Sequence, residues 1–367
     1  MRTTLVFTIW LAVSASSFAP AFAQRAPSFP SDSSVLALLR TRVDGGTNPA
    51  IVVGLLENGK HRVIAYGKSA TNGFDVDGRT LFEIGSITKV FTGTLLAHMV
   101  QRGEVKLDDP VQKFFPSSPR MPRLNGRSIT LGDLATQHSG LPRVPDNLRP
   151  ANRRNPYADY SADSLLAFLS RYRLTRPPGE SFEYSNLGVG LLGLALARRA
   201  GSCYEALLIA RMLGPLGMND TRIILDGERR RRLAVGHDQL GRVAENWDAT
   251  SLAGAGALRS TANDMLIFAA AALGAPGPLS AAFQEAERAR LVVSQARRTS
   301  IGLNWFITRA GKVEIVWHNG GTGGYRSYLG LDKAGQRAVV VLTNSQNGAD
   351  DIGRYLLDPT LPLANAP

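Results

Sequence analysis

Cysteine is almost absent from this 367-residue chain: Cys203 stands alone, so no internal disulfide can form and stability must come from a packed core. Cys203 itself reads as a small buried apolar residue rather than a nucleophile. Histidine is scarce as well, five in all, and none shows metal-ligand spacing, so no metal site is expected. Acidic residues are outnumbered, 30 against 42 Lys and Arg, which leaves a formal net charge of +12. Such a balance can serve nucleic acid, an anionic surface or an acidic polymer. Here the arginines are scattered, with short clusters only at Arg153-Arg154 and Arg229 to Arg232, and no aromatic residues interleave them. Nucleic acid is therefore not an expected partner. A solvated basic surface is the plainer reading, and a hold on an anionic cell-envelope polymer is the other. Repeats and low-complexity tracts are missing, apart from an alanine-rich stretch at 269–275 that reads as ordinary helix.

No apolar run is long enough to cross a bilayer; the run from Leu5 to Val13 falls well short. With Arg2 before it and Ala21-Phe22-Ala23 after it, that run reads as the core of a signal peptide over 1–23. Export to the periplasm is the expectation, with no integral membrane segment left after cleavage. The absence of cysteine near the cut excludes a lipoprotein. Residues 24–33 are rich in Pro and Ser and read as a disordered lead-in, leaving 34–367 as one domain. Hydrophobic residues at 44% and charged residues at 20% suit a globular chain with a sizeable core.

What is present is a run of strand and helix signals. A helix from Ser34 to Val43 precedes Ile51–Leu56, a strand turned by Asn58-Gly59 into a second strand through Tyr66; Asn-Gly between apolar runs is a strong hairpin signal. Helical spacing of Val90, Leu95, Leu96 and Met99 continues to Arg102, and helices are predicted over 161–171, 187–199 and 204–213. Thr261 with Asp264 marks a further helix start. Short strands return at 301–307, 313–317, 325–331 and 338–342, and a last helix at 350–357 could cover them. The expected fold is α+β: an antiparallel sheet built from both chain ends, about 34–85 and 261–367, covered by helices, with an all-α insertion over about 86–260.

Three short elements carry chemistry. Ser86-Ile87-Thr88-Lys89 offers a serine with a lysine one helical turn on, and a desolvated lysine can take the serine proton. A capping serine before a surface lysine would show the same letters. Tyr184-Ser185-Asn186 offers a phenol, whose pKa a lysine cation would pull down, and an amide able to bond lysine and a substrate carbonyl; a turn asparagine capping the next helix is the alternative. His318-Asn319-Gly320-Gly321-Thr322 follows a strand, and its glycines would let a substrate backbone approach as an added strand; a β-turn is the alternative. Each element occurs once, and their joint occurrence is far rarer than any one part.

With these elements the chain resembles the penicillin-recognising serine hydrolases, specifically the branch that holds class C β-lactamases, D-alanyl-D-alanine carboxypeptidases and related esterases. The resemblance runs from about Ile51 to Leu342 and takes in Phe82-Glu83-Ile84-Gly85-Ser86, Leu134 to Pro142, Gly214 to Met218 and Gly254 to Leu258. It implies a β-lactamase/transpeptidase-like fold and no metal or organic cofactor. It implies Ser86 as acylated nucleophile, Lys89 and Tyr184 as the general-base pair, and Asn186 as binder of the substrate amide. His318, Asn319 and Gly320 would line the pocket, with the amides of Ser86 and Gly321 as oxyanion hole. Class C β-lactamases carry lysine and threonine where this chain has His318 and Asn319, so a permanent cation is missing. Arg326 could supply it, although an exposed strand arginine is the plainer reading; His138 reads as structural. The implied activity is hydrolysis of β-lactam amides, with a D-alanyl-D-alanine carboxypeptidase/endopeptidase acting on peptidoglycan stem peptides next and a small-ester esterase third. A non-catalytic envelope-binding protein is the reading from another class, and a monomer is expected.

Overall fold

The computed structural model describes residues 28–116 and 120–364; the expected signal peptide and the first residues of the lead-in lie outside them. The organising element is an eight-stranded antiparallel sheet. Its strands are β1 (Ala50–Glu57), β2 (Lys60–Gly67), β3 (Leu291–Ser294), β4 (Thr299–Ile301), β5 (Phe306–Ala310), β6 (Val313–Gly321), β7 (Arg326–Asp332) and β8 (Arg337–Thr343), in the order β2-β1-β8-β7-β6-β5-β4-β3. The first two strands thus join the last six through the pair β1–β8, in register from Ile51↔Thr343 to Glu57↔Arg337. The β1–β2 turn takes Asn58 at φ 50° and Gly59 at φ 75°, the left-handed pair that a tight hairpin requires.

Period two along β1 decides what covers the sheet. Ile51, Val53 and Leu55 face a smaller core made with helix α1 (Asp32–Asp44) and a C-terminal helix over 350–357, while Ala50, Val52 and Leu56 face the main core. That main core holds α2 (Thr88–Gln101), α3 (Asn186–Ala200), α4 (Ala262–Leu273) and α5 (Ser280–Glu287). The C-terminal helix is α6 (Asp350–Leu357). Helix α2 is buried on nearly every side, which explains why its apolar pattern is so wide.

Several expectations need correction. The segment between the two sheet portions is not wholly helical: Phe82–Glu83 pairs with Arg259–Ser260, and Arg123–Leu124 with Arg127–Ser128. The lead-in is ordered from Ser28 on, because Phe29 is buried in the smaller core, the Pro30 carbonyl accepts from Arg62, and Ser31 caps α1. The strand expected over 301–307 breaks in two. Asn304 turns left-handed at φ 63° and its amide leaves the sheet to donate to the Ala135 carbonyl, 2.7 Å away. Edge strand β3 was not expected at all. Cys203 is exposed rather than buried, at the turn just before the helix Tyr204–Leu208.

One buried ion pair ties both chain ends to the sheet. Arg337 and Asp332 meet at 2.7 Å with side chains 1% and 3% exposed. The same guanidinium donates to the Leu357 carbonyl at the end of α6 and lies over the Phe29 ring. Removing one member leaves a buried charge without its partner, so Arg337→Ala should cost about 3–5 kcal/mol in denaturant unfolding. The exposed pair Arg171–Asp146 should cost no more than about 1 kcal/mol under the same assay.

Candidate active site

Ser86 is placed by a clamp on the residues before it. Gly85 takes φ +49°, and the turn Gly85–Ile87 runs straight into α2. The end of β6 lies directly against this turn. A Cβ on Gly320 would sit 1.9 Å from the Ile84 carbonyl oxygen, and one on Gly85 would sit 2.6 Å from the Gly321 amide nitrogen. Ser327 Oγ donates to the Ile84 carbonyl at 2.8 Å, and the Ile84 amide donates to the Leu258 carbonyl at 3.0 Å. Side chains at 85 or 320 would push the strand off the serine. Ser86 is the one residue between Thr80 and Ala97 that is not fully buried.

Lys89 lies in the first turn of α2, fully buried. Its Nζ donates to Ser86 Oγ at 2.9 Å and to the Ala255 carbonyl at 2.6 Å. It has no carboxylate partner among the described residues. Burial, assisted by repulsion from Arg143, holds its pKa well below the ordinary lysine value, which favours the neutral amine.

Tyr184 reaches the same serine from the other side. Its hydroxyl is hydrogen-bonded to Ser86, and its ring lies within 4.9 Å of Lys89 Nζ and 5.1 Å of the Arg143 guanidinium. The expected depression of its pKa is reversed: burial pushes the phenol up to about 12. Desolvation outweighs the hydrogen bond with Ser86 and the attraction of the Arg143 guanidinium, both of which act to lower it. Gln137, left-handed at φ 63°, positions the tyrosine. Its carbonyl accepts from the Glu183 amide at 2.8 Å and its Oε1 from the Ser185 amide at 2.7 Å. Ser185 Oγ then caps α3 through the Gly188 amide. Asn186 opens α3, its side chain bonded to the Tyr157 hydroxyl on the cleft wall. His138 is buried with Nδ1 on the Thr136 carbonyl.

Residues 318–321 belong to β6 rather than to a turn after it. They pair with β7 on one side only, because β5 is matched no further than Phe306 opposite Trp317. His318 points to the Lys89 side and is 1% exposed. Burial, assisted by repulsion from Lys89, lowers its pKa to about 3, which favours the neutral imidazole, and its Nδ1–H donates to the Asn319 carbonyl at 2.6 Å. Asn319 points the opposite way, where its amide donates to Asp350 Oδ2 at 2.5 Å. Arg326 is half-buried beside Gly321 rather than exposed on its strand, its guanidinium bonded to the Thr322 and Tyr325 carbonyls.

These groups open on a cleft of about 1350 Å³ that Ser86, Tyr184, Asn186, Asn319, Gly320 and Gly321 help to line. A hydroxyl between an amine and a phenol, beside the open end of a strand, is an arrangement suited to acyl transfer. The family model described as Beta-lactamase matches residues 35–358. The chain belongs to this family. Family members with similar sequence include the D-alanyl-D-alanine-carboxypeptidase/endopeptidase AmpH of Escherichia coli K12, 30% identical over 82% of this chain and 80% of that protein. A Beta-lactamase of the same organism is 31% identical over 59% of this chain and 54% of its own length. Among solved structures, a class C beta lactamase from Rhodobacter sphaeroides superposes with TM-score 0.75 at 25% identity, covering 89% of this chain and 99% of that one. A beta-lactamase/D-alanine carboxypeptidase from Yersinia pestis gives TM-score 0.78 at 24% identity, covering 90% and 98%, and speaks for the fold alone.

Sequence reasoning missed Arg143, Tyr157 and Asp350 as cleft residues and Gln137 as a positioning residue. Only Gln137 gave a signal, since it falls in the family-like segment 134–142. The tautomer and charge of His318 are directly measurable. Its ¹⁵N resonances should report a neutral ring protonated at Nδ1 from pH 8 down to pH 5, with no titration near the ordinary value of about 6.5.

Proposed function

We propose that this chain is an exported serine hydrolase that works through an acyl-enzyme on Ser86, acting on the D-alanyl-D-alanine type of peptide amide. The observation that carries the mechanism is Lys89: fully buried, without a carboxylate partner among the described residues and 2.9 Å from Ser86 Oγ, it is an amine pushed towards the free form that can take the serine proton. As Ser86 Oγ attacks the substrate carbonyl, its proton passes to Lys89 Nζ. The resulting oxyanion is met by the amides of Ser86 and Gly321, where preorganised donors are worth about 10²–10³-fold each. Tyr184, whose raised pKa keeps its proton, gives that proton to the departing amine and is reprotonated from the Lys89 ammonium. Water then attacks the ester on Ser86 by the reverse relay, releasing the acid and restoring the serine hydroxyl.

Two observations favour peptide over β-lactam as the substrate proper. His318 is a neutral side chain where class C β-lactamases carry a cation, and the cleft is larger than a small-molecule site, which typically spans about 300–1000 Å³. The relative AmpH is a peptidase by name over most of its length. Ring opening of β-lactams is the second reading, favoured by the relatives named as β-lactamases. Export rests on the N-terminal pattern of 1–23.

Intact-mass analysis after incubation with a chromogenic β-lactam and with an acyl-D-alanyl-D-alanine peptide tests this reading. A persistent adduct on Ser86 with the lactam, together with turnover of the peptide, is expected; fast lactam turnover without peptide cleavage would overturn the preference. Ser86→Ala should form no adduct, and Lys89→Ala or Tyr184→Phe should slow acylation by about 10²–10⁴-fold. Acylation should rise with pH as Lys89 loses its proton. Arg143→Ala removes a repelling cation, so it should move that rising limb to higher pH, read from the pH–rate profile.

A further inference from the structure

The positive charge of this protein is not spread evenly over its functional groups. Within the arginine run in the sequence, Arg229 and Arg232 are engaged by Asp220, Asp226 and Glu228. The cleft is different. Arg143, Arg297, Arg298, Arg309, Arg326 and Arg354 line it, and none of them forms an ion pair among the described residues. They come from five separate stretches of chain. The one carboxylate on the cleft wall, Asp350, is held by Asn319 and is outnumbered.

The cleft also has a direction. It runs from Ser86 past the open end of β6 onto the outer face of the sheet, where Ile315, Trp317 and Asn319 alternate. The floor there is aromatic: Trp317 stacks on Phe306 with ring centres 5.2 Å apart and on Tyr328 at 6.2 Å. Trp317 Nε1 is satisfied by Thr308 Oγ1 at 2.9 Å, which fixes the indole in place. Arg297 and Arg298, in the β3–β4 turn, and Arg309 on β5 stand exposed at the far end.

We infer that this arm of the cleft selects substrates whose acyl side is an acidic peptide, carrying carboxylates upstream of the scissile amide. The inference rests on the serine hydrolase reading above. A carboxypeptidase loses a single residue on the leaving side, so only the acyl side is long enough to run along an arm of this size. The unpaired edge at Asn319–Gly321 accepts an extended backbone, and guanidinium forks match carboxylates in pairs. The aromatic floor holds the apolar stems between the charges. A neutral peptide would offer these guanidiniums no carboxylate.

The test compares two acyl-D-alanyl-D-alanine peptides of equal length, one with two glutamates upstream of the scissile bond and one with glutamines in their place. Binding is read by calorimetry on the Ser86→Ala protein, so it does not depend on turnover. The acidic peptide should bind at least about tenfold tighter at low ionic strength, with the gap closing as salt is raised. Arg297→Glu/Arg298→Glu should remove most of that gap, whereas Arg230→Glu/Arg231→Glu, an equal charge change at exposed positions outside the cleft, should keep it. Melting curves check that each variant is folded. Equal affinity for the two peptides, binding of neither, or an equal loss from both double variants would overturn the inference. Failure of either peptide to acylate Ser86 in the unmodified protein would instead overturn the hydrolase reading, leaving the binding comparison to stand by itself.

Discussion

An amine without a counter-ion, sealed inside a protein, is the constraint on which the rest of this site depends. Lys89 is enclosed by the core that packs around α2, and among the described residues its hydrogen bonds go to a serine hydroxyl and a backbone carbonyl. A cation in that place would need a carboxylate, and none reaches it among the described residues. The same enclosure sets its neighbours. Burial keeps the proton on Tyr184 in spite of the Arg143 guanidinium beside its ring, and it favours the uncharged ring of His318. The core therefore does more than stabilise the fold: its completeness around α2 sets the chemistry of the first helical turn.

The second constraint is contact between backbone and backbone. Two strand-end glycines and the turn before Ser86 lie so close that side chains are excluded, and Ser327 and Leu258 hold that turn from either side. Placement of the serine thus relies on main-chain packing across the join between the sheet and the helical layer. Gln137 does the same for Tyr184, with its carbonyl and side chain each taking one amide.

Much of this was legible in the residues, for physical reasons that differ by element. The Asn58-Gly59 hairpin, the cap at Thr261 and the last helix at 350–357 depend on local preferences, and they lie where local preferences put them. The break at Asn304 was hidden because its cause is a carbonyl at Ala135. Cys203 was misread because its residue type is usually buried, while its position before a helix start is not. The sign of the Tyr184 shift was also out of reach, since it depends on how deeply the fold buries the phenol. Arg326 apart, the cleft arginines were least visible, because they come from stretches dispersed through the chain that only the fold brings to one groove.

The pairing of β1 with β8 carries a consequence for how the molecule comes into being. Ile51 finds its ladder partner at Thr343, so the first strand of the sheet waits for residues far along the chain. Until they arrive, the β1–β2 hairpin has one open flank and two apolar faces without cover, a state that a lone hairpin cannot sustain in water. Closure over so long a loop is slow compared with local helix formation. Assembly of the sheet consequently waits for β8, and a nascent chain that stops short of it holds every residue of the Ser-x-x-Lys element yet lacks the strand that joins the two parts of the sheet.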